Sequence, residues 1–156
     1  MLGIPQKYIP KYLTKKDRAT QKRNISRARR SYKKHVYVDR PYLKSYKRKE
    51  SQHVTTAKKY YKVNQIVPSK SLAKKTKCSV HALKRITKKG RGAYYSSGSR
   101  PMQTAQSWAR ARLASAITGG PSSAYDYHIL KDGCKKNSPA LRMARKTCKK
   151  LKRKCE

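Results

Sequence analysis

Cysteine and histidine are the residues with which this chain could do chemistry, because thiolates and imidazoles bind zinc at characteristic spacings. Cys78 and His81 stand three positions apart, which makes only half of such a site. The chain has four cysteines, but no Cys-x-x-Cys pair. The sequence therefore predicts structural or free thiols and no metal, with one disulfide or a zinc site as the alternatives. Cys148 and Cys155 on one straight helix would lie about 10.5 Å apart. That distance exceeds the ~7 Å that a disulfide spans, so we expect these two not to pair.

Catalytic groups are scarce in the rest of the chain. Only 6 residues are acidic, and no two of them form a plausible general acid and base. Gly90-x-Gly92 lacks the third glycine and the preceding strand of a phosphate-binding loop. The segment 95–98, Tyr-Ser-Ser-Gly, lacks the first glycine of a nucleophile elbow. We therefore predict that the protein is not an enzyme and that it holds no cofactor.

The charge of the chain is strongly unbalanced. Its 156 residues include 43 Lys and Arg, and the formal net charge is +37. A chain of this length forms one domain, or one small domain with arms, and so much positive charge calls for an anionic partner. No apolar run approaches the length of a membrane span, and the N-terminus has no signal-peptide core. We therefore expect a soluble protein made in the cytosol.

The basic residues are unevenly spread. Between Ala93 and Cys134 there are only four, so 39 of the 43 lie outside this block. The sequence predicts a mainly α fold. It would consist of a small, compact helical core with long basic arms that are extended or helical. The predicted segments are an extended docking arm at 1–13, a Tyr- and Lys-rich helical arm at 14–68, a compact helical core at 69–134, and a basic C-terminal helix at 135–156.

Capping residues and apolar periodicity place the helices. Thr14 and Thr104 are good N-caps, and Ser138 followed by Pro139 begins the last helix. The predicted helices are 14–33, 52–61, 70–76, 80–89, 104–118, 123–131 and 139–154. Ser123 and Asp126 form a capping box at the start of the sixth. The last helix has one narrow apolar seam, formed by Leu141, Ala144, Cys148, Leu151 and Cys155.

The predicted core centres on the helix that follows Thr104. Trp108 is the only tryptophan in a chain without phenylalanine, so we expect it to be the most buried aromatic residue, packed with Leu113. Gly119-Gly120 ends this helix. Arg112 lies beside the apolar face and has two interpretations. Its stem packs while its head reaches the rim, or its guanidinium binds loop carbonyls or the carboxylate of a partner.

A distinctive string follows the predicted core helix 80–89. It reads YYSSGSRP at 94–101, and it continues through Trp108 to Gly119-Gly120. This string resembles a domain that recurs in nucleocytoplasmic large DNA viruses, especially algal ones, and the opening at 8–17 is similar to the start of the same family. The resemblance covers most of the chain and implies a virus with a double-jelly-roll capsid, but no activity. The motif residues are Tyr94, Tyr95, Gly98, Arg100, Pro101, Thr104, Trp108, Arg112, Leu113, Gly119 and Gly120.

Apolar and tyrosine residues in the basic arms suggest contacts with a partner. Prolines at 5 and 10 favour an extended arm, and tyrosine suits interfaces because it is amphipathic. A frayed tail is the alternative for the first segment. The predicted docking residues are Tyr8, Ile9, Tyr12, Leu13, Tyr42 and Tyr46.

Two functions remain compatible with the charge and the resemblance. The favoured one is a structural component of a large icosahedral virus particle. It would be a minor capsid protein that links capsomers beneath the major capsid shell, located in the virion and assembled in the host cytoplasm. Its expected partners are the major capsid protein and other minor capsid proteins, together with the anionic surface of an inner membrane. The alternative is a genome-associated protein that condenses DNA by neutralising phosphates.

Overall fold

The computed structural model describes residues 3–155 and is mainly helical, which confirms the mainly α part of the predicted fold. Within those residues there is no strand, and the one isolated bridge joins Cys78 to Cys134. After a 3-10 turn at Gln6–Tyr8, the α-helices are α1 Lys15–Tyr32, α2 Gln52–Tyr61, α3 Lys70–Thr76, α4 Val80–Ser96, α5 Ala105–Ile117, α6 Pro121–Tyr125, α7 Tyr127–Gly133 and α8 Pro139–Lys150.

The chain divides into two compact units. Unit 1 comprises residues 3–49 and Arg91–Trp108, and unit 2 comprises Glu50–Gly90 and residues 109–155. This division differs from the predicted core at 69–134, because the YYSSGSRP segment belongs with residues that were predicted to be arms. Ile25 and Leu43 are buried in unit 1, so this part of the chain has an apolar core of its own.

The start of α1 shows a capping arrangement that includes a residue from outside the helix. The Thr14 hydroxyl accepts a hydrogen bond from the Asp17 amide at 3.1 Å, as the predicted cap requires. The Asp17 carboxylate accepts bonds from the hydroxyl and the amide of Ser45, and these bonds lower the pKa of Asp17. The Ser45 hydroxyl in turn accepts from the Thr14 amide at 3.2 Å. The segment around Ser45 is therefore fixed to the first turn of α1.

Unit 2 contains a continuous apolar core. It is built from side chains of α2, α3, α5, α6, α7 and α8 and from the part of α4 that ends at Gly90. The Tyr61 hydroxyl donates to the Ile117 carbonyl at 2.5 Å, and burial raises the pKa of Tyr61. The largest fully buried side chains of this unit are Ile66, Leu72, Leu83, Ile86, Leu113, Ile117, Ile129 and Leu130.

Three helix boundaries depart from the sequence prediction. Helix α4 does not stop at Gly90 but continues to Ser96. The single helix predicted at 123–131 is two helices, with Asp126 between them. Helix α8 begins as predicted, with the Ser138 hydroxyl accepting from the Leu141 amide at 3.3 Å, but it ends at Lys150 instead of 154.

The early end of α8 overturns the expectation about the cysteines. The chain turns back after the helix, with Lys152 at φ +52°, and the Arg153 amide donates to the Cys148 carbonyl at 3.0 Å. This turn brings the Cα atoms of Cys148 and Cys155 to 6.0 Å, and the two residues form a disulfide. A second disulfide joins Cys78 to Cys134. The prediction of free thiols is therefore wrong.

Crossing a bilayer requires a helix that is both long and apolar. No helix within residues 3–155 combines these two properties.

Candidate functional site

The dominant chemical feature of both units is uncompensated positive charge. Four ion pairs lie within the described residues, Lys58–Glu50, Arg85–Asp132, Lys89–Asp126 and Arg112–Asp126, with N···O distances of 2.8–3.9 Å. Even if each of the 6 acidic residues neutralised one cation, 37 of the 43 basic residues would remain unbalanced. The protein therefore presents a surface suited to a polyanion.

Helix α1 carries much of this charge in unit 1. Its buried residues, Gln21, Ile25 and Ala28, follow one another at spacings of four and three, as one face of a helix requires. The rest of the surface of α1 is dominated by cations. The exposed ones are Lys15, Lys16, Lys22, Arg23, Arg27 and Arg30. Arg18 and Arg29 are half-buried, and Arg29 donates to the Ser97 carbonyl at 2.9 Å.

Helix α8 repeats this design in unit 2. Its predicted apolar seam is confirmed for Leu141, Ala144 and Cys148, which are buried. Leu151, predicted to extend the seam, lies beyond the helix and is 45 % exposed. The cations of α8 occupy its other faces, so this helix too is fixed by one narrow apolar side and offers charge elsewhere. They are Arg142, Arg145, Lys146, Lys149 and Lys150.

The YYSSGSRP segment is a structural element of unit 1. Gly98 has φ +123°, and a Cβ there would lie 3.1 Å from Cγ2 of Ile25 and 3.3 Å from Cδ2 of Tyr8. Gln21 donates from its side-chain amide to the carbonyls of Tyr8 and Ser99 at 3.1 and 3.3 Å. The loop is therefore packed and hydrogen-bonded to α1 and to the N-terminal segment.

Arg40, which follows α1 in the chain, also binds this loop. Its guanidinium stacks on the Tyr94 ring at 3.8 Å and donates to the Tyr94 carbonyl at 2.8 Å and the Ser99 hydroxyl at 2.6 Å. Burial lowers the pKa of Arg40. Arg40 is half-buried and bound to this loop by stacking and by two hydrogen bonds, so we assign it a structural role.

Substituting two glycines of unit 1 should test the packing of this loop. Gly98→Ala is expected to lower the free energy of unfolding by about 2 kcal/mol, because the positive φ and the close Ile25 both oppose a side chain. Gly92→Ala is the matched control. Gly92 lies inside α4, where the nearest atom to a Cβ is 3.7 Å away, so we expect stabilisation by about 0.5–1 kcal/mol. Urea unfolding of both variants measures this, and equal effects would contradict the described loop.

Trp108 does not anchor the core as predicted. It is half-buried, and its ring meets the Tyr8 ring edge-on at 5.7 Å. The most buried aromatic residue is Tyr94, which is 1 % exposed. Trp108 belongs to unit 1, whereas Leu113 is fully buried in unit 2, so the two do not share one core. The remaining motif residues include Pro101, which is buried, and Arg100 and Thr104, which are exposed.

The predicted docking residues fall into two groups. Tyr8 and Leu13 are 9 % and 3 % exposed, so these two are part of the fold of unit 1 and cannot act as docking residues. Within the described residues 3–13, the segment is therefore packed into unit 1 at Tyr8 and Leu13. Tyr12 and Tyr42 are 54 % and 69 % exposed and stay available to a partner. Ile9 and Tyr46 are half-buried.

Arg112 forms the most buried ionic contact of the protein. Its Nε and Nη2 atoms each donate to the Asp126 carboxylate at 2.8 Å. Asp126 is 0 % exposed and also meets Lys89 at 3.4 Å. Of the two interpretations of Arg112, carboxylate binding is the one observed, and the carboxylate comes from the same chain. The sequence had assigned Asp126 to a capping box instead, so its role was missed.

The two glycines after α5 stop that helix as predicted. Gly119 has φ +72°, which favours glycine. Its carbonyl accepts a bond from the Thr147 hydroxyl at 2.6 Å, and Gly120 precedes α6. These motif residues are therefore also structural.

The described part of the chain contains no candidate metal site. Residues 3–155 contain no group of three or more His, Cys, Asp or Glu side chains that could hold an ion. All four cysteines form disulfides.

Sequence reasoning missed Arg40 and Gln21, because nothing distinguishes them from their neighbours in a basic segment. It could have singled out Asp126, since this residue is one of only two acids in the least basic block, Ala93 to Cys134. It also missed a cluster formed by Tyr32, Tyr37 and Tyr95.

The chain belongs to a family of unknown function, DUF5824, whose family model matches residues 5–132. The matched residues include α1 to α6 and most of α7, and α8 lies outside them. Comparisons with curated proteins and with solved structures found no match.

Proposed function

We propose that the protein is a structural component of a large icosahedral DNA-virus particle, a minor capsid protein that joins capsomers beneath the major capsid shell. The observation that carries the proposal is a net charge of +37 on a chain that folds into compact helical units. Such a protein can bind carboxylate-rich surfaces of neighbouring capsomers. Its partners would be the major capsid protein and other minor capsid proteins, with the anionic surface of an inner membrane as a further contact.

The disulfides support this setting. Cys78–Cys134 and Cys148–Cys155 are both formed. Disulfides persist in oxidising surroundings and are rare in the cytosol, so both bonds fit a particle that has left the cell. We infer that the chain is assembled into particles in the host cytoplasm and acts in the virion after release.

Two exposed tyrosines offer apolar contact area for a protein partner. Tyr12 stacks on Tyr46 at 6.3 Å between ring centres, and its hydroxyl accepts from the Lys47 amide at 3.2 Å. Tyr42 is the most exposed large hydrophobic residue of the described chain, at 69 %. A tyrosine held as Tyr12 is held loses little entropy on binding, and exposed tyrosines are common anchors of interfaces.

The alternative is a genome-associated protein that condenses DNA, because the same unbalanced charge would also bind phosphates. Location in the particle distinguishes the two roles. A zero-length carbodiimide links lysine amines to carboxylates that they touch, and DNA offers no carboxylate. We expect cross-links from this chain to capsid proteins, and retention with the shell after nuclease treatment. Release by nuclease, with no such cross-links, would establish the alternative.

Point variants test the docking residues more cleanly than a deletion. Removing residues 1–13 would also remove the buried Tyr8 and Leu13 and so disturb unit 1. Tyr12→Ala with Tyr42→Ala changes only exposed side chains, and we expect incorporation into particles to fall about tenfold or more. Tyr60→Ala, at an exposed tyrosine of unit 2, is the control. Equal incorporation of both variants would contradict docking through Tyr12 and Tyr42.

A further inference from the structure

A cluster of three tyrosines lies where the chain leaves α1. The Tyr37 ring is 6.0 Å from the Tyr32 ring and 5.2 Å from the Tyr95 ring, measured between centroids. Tyr37 is 63 % exposed, whereas Tyr32 and Tyr95 are half-buried. We call these three residues the aromatic platform. It presents one open ring that is supported by two others.

Backbone hydrogen bonds fix the approach to the platform. The Lys34 and Val36 amides donate to the Ser31 carbonyl at 2.9 and 3.0 Å, and the His35 amide donates to the Tyr32 carbonyl at 2.9 Å. His35 adopts φ +59°, the left-handed conformation that ends many helices. The Tyr37 ring therefore stands on an ordered turn, which reduces the entropy that binding would cost.

Basic residues adjoin the aromatic platform along the chain. Lys33, Lys34 and His35 are consecutive and exposed. Arg91 is exposed as well and precedes Tyr95 on α4 by four residues, so it shares that face of the helix. One carboxylate is near, that of Asp39, and it accepts a hydrogen bond from the Tyr95 hydroxyl at 3.3 Å. The cations outnumber it.

We propose that the aromatic platform binds single-stranded nucleic acid, with a base stacked on Tyr37 and with phosphates against Lys33, Lys34 and Arg91. Open aromatic rings set among cations are how proteins bind single strands without sequence preference. In a duplex the bases are already stacked, so Tyr37 could add nothing there. An acidic peptide would use the cations but would leave the exposed ring without a flat partner. This site goes beyond the structural role proposed above and does not depend on it.

The test compares two oligonucleotides on the full-length oxidised chain. One is a twelve-residue thymidine strand, and the other is an abasic strand of the same length, which keeps the phosphates and lacks the bases. We expect the wild type to prefer the thymidine strand. Tyr37→Ala should weaken its binding at least about fivefold and leave binding of the abasic strand unaffected. Tyr37→Phe should retain the preference, and so should the control Tyr60→Ala, which is also exposed and flanked by lysines.

A second measurement separates stacking from charge. Lys33→Gln with Lys34→Gln should reduce the slope of log affinity against log salt by about 0.7 for each phosphate that is no longer neutralised, whereas Tyr37→Ala should leave that slope unchanged. Three results would overturn the proposal. The first is equal affinity of the wild type for the thymidine and abasic strands. The second is an equal loss of affinity for the thymidine strand in Tyr37→Ala and Tyr60→Ala. The third concerns polyglutamate, an acidic peptide: Tyr37→Ala would lose binding to it while its binding to the thymidine strand stays intact. None of them bears on cross-linking to capsid proteins.

Discussion

Asp126→Ala is expected to lower the free energy of unfolding by about 3–5 kcal/mol, because it leaves a partly buried Arg112 without its carboxylate. Asp126 is 0 % exposed and accepts two hydrogen bonds from Arg112 at 2.8 Å, with Lys89 at 3.4 Å. Without the Asp126 carboxylate, Arg112 and Lys89 would lose the negative charge that compensates them, and Arg112 would remain partly buried in a low-dielectric environment. Urea unfolding followed by circular dichroism measures the loss of stability.

Asp132→Ala is the matched control for this prediction. It removes the same charge, but Asp132 is 68 % exposed and lies 3.9 Å from Arg85, so we expect an effect below about 1 kcal/mol. Replacing both partners, with Arg112→Met and Asp126→Leu, should recover much of the stability, since an apolar pair needs no compensation. Equal losses of stability for the two aspartates would mean that the Asp126 carboxylate is not buried.

Removal of the Cys78–Cys134 disulfide should cost about 4 kcal/mol, estimated from the entropy of the closed loop. The two cysteines are 56 residues apart in sequence, and the bond therefore restricts a large part of the unfolded chain. Substituting both by alanine avoids new polar groups beside the buried Cys78. We expect the midpoint of urea unfolding to fall clearly in this variant.

The other disulfide provides the comparison. Cys148 and Cys155 are only 7 residues apart, so the same relation gives about 2 kcal/mol for their removal. A reductant should bring the wild type to the stability of a variant that lacks all four cysteines. If removal of the shorter loop proved the more damaging, unfolded-state entropy could not be the main source of stabilisation.

Local signals in the sequence determined the helices. A side-chain oxygen that caps a helix acts within three residues, so Thr14, Thr104 and Ser138 mark helix starts wherever the rest of the chain lies. The apolar spacing of Leu141, Ala144 and Cys148 likewise identified the buried side of α8. The excess of 37 positive charges was also readable directly, and it predicts an anionic partner.

Only the tertiary structure decided which segments belong together. Arg40 binds Tyr94 and Ser99, which are 54 and 59 residues away, and no periodicity connects positions so distant. The same holds for Tyr8, which a local pattern assigns to an exposed arm but which packs against Trp108. The contacts of Asp126 and Tyr37 arise in the same way, from neighbours on other helices. Capping and amphipathic patterns are properties of one helix, whereas burial depends on which distant segments pack against it. In this chain, that packing decided which tyrosines and charges remain exposed.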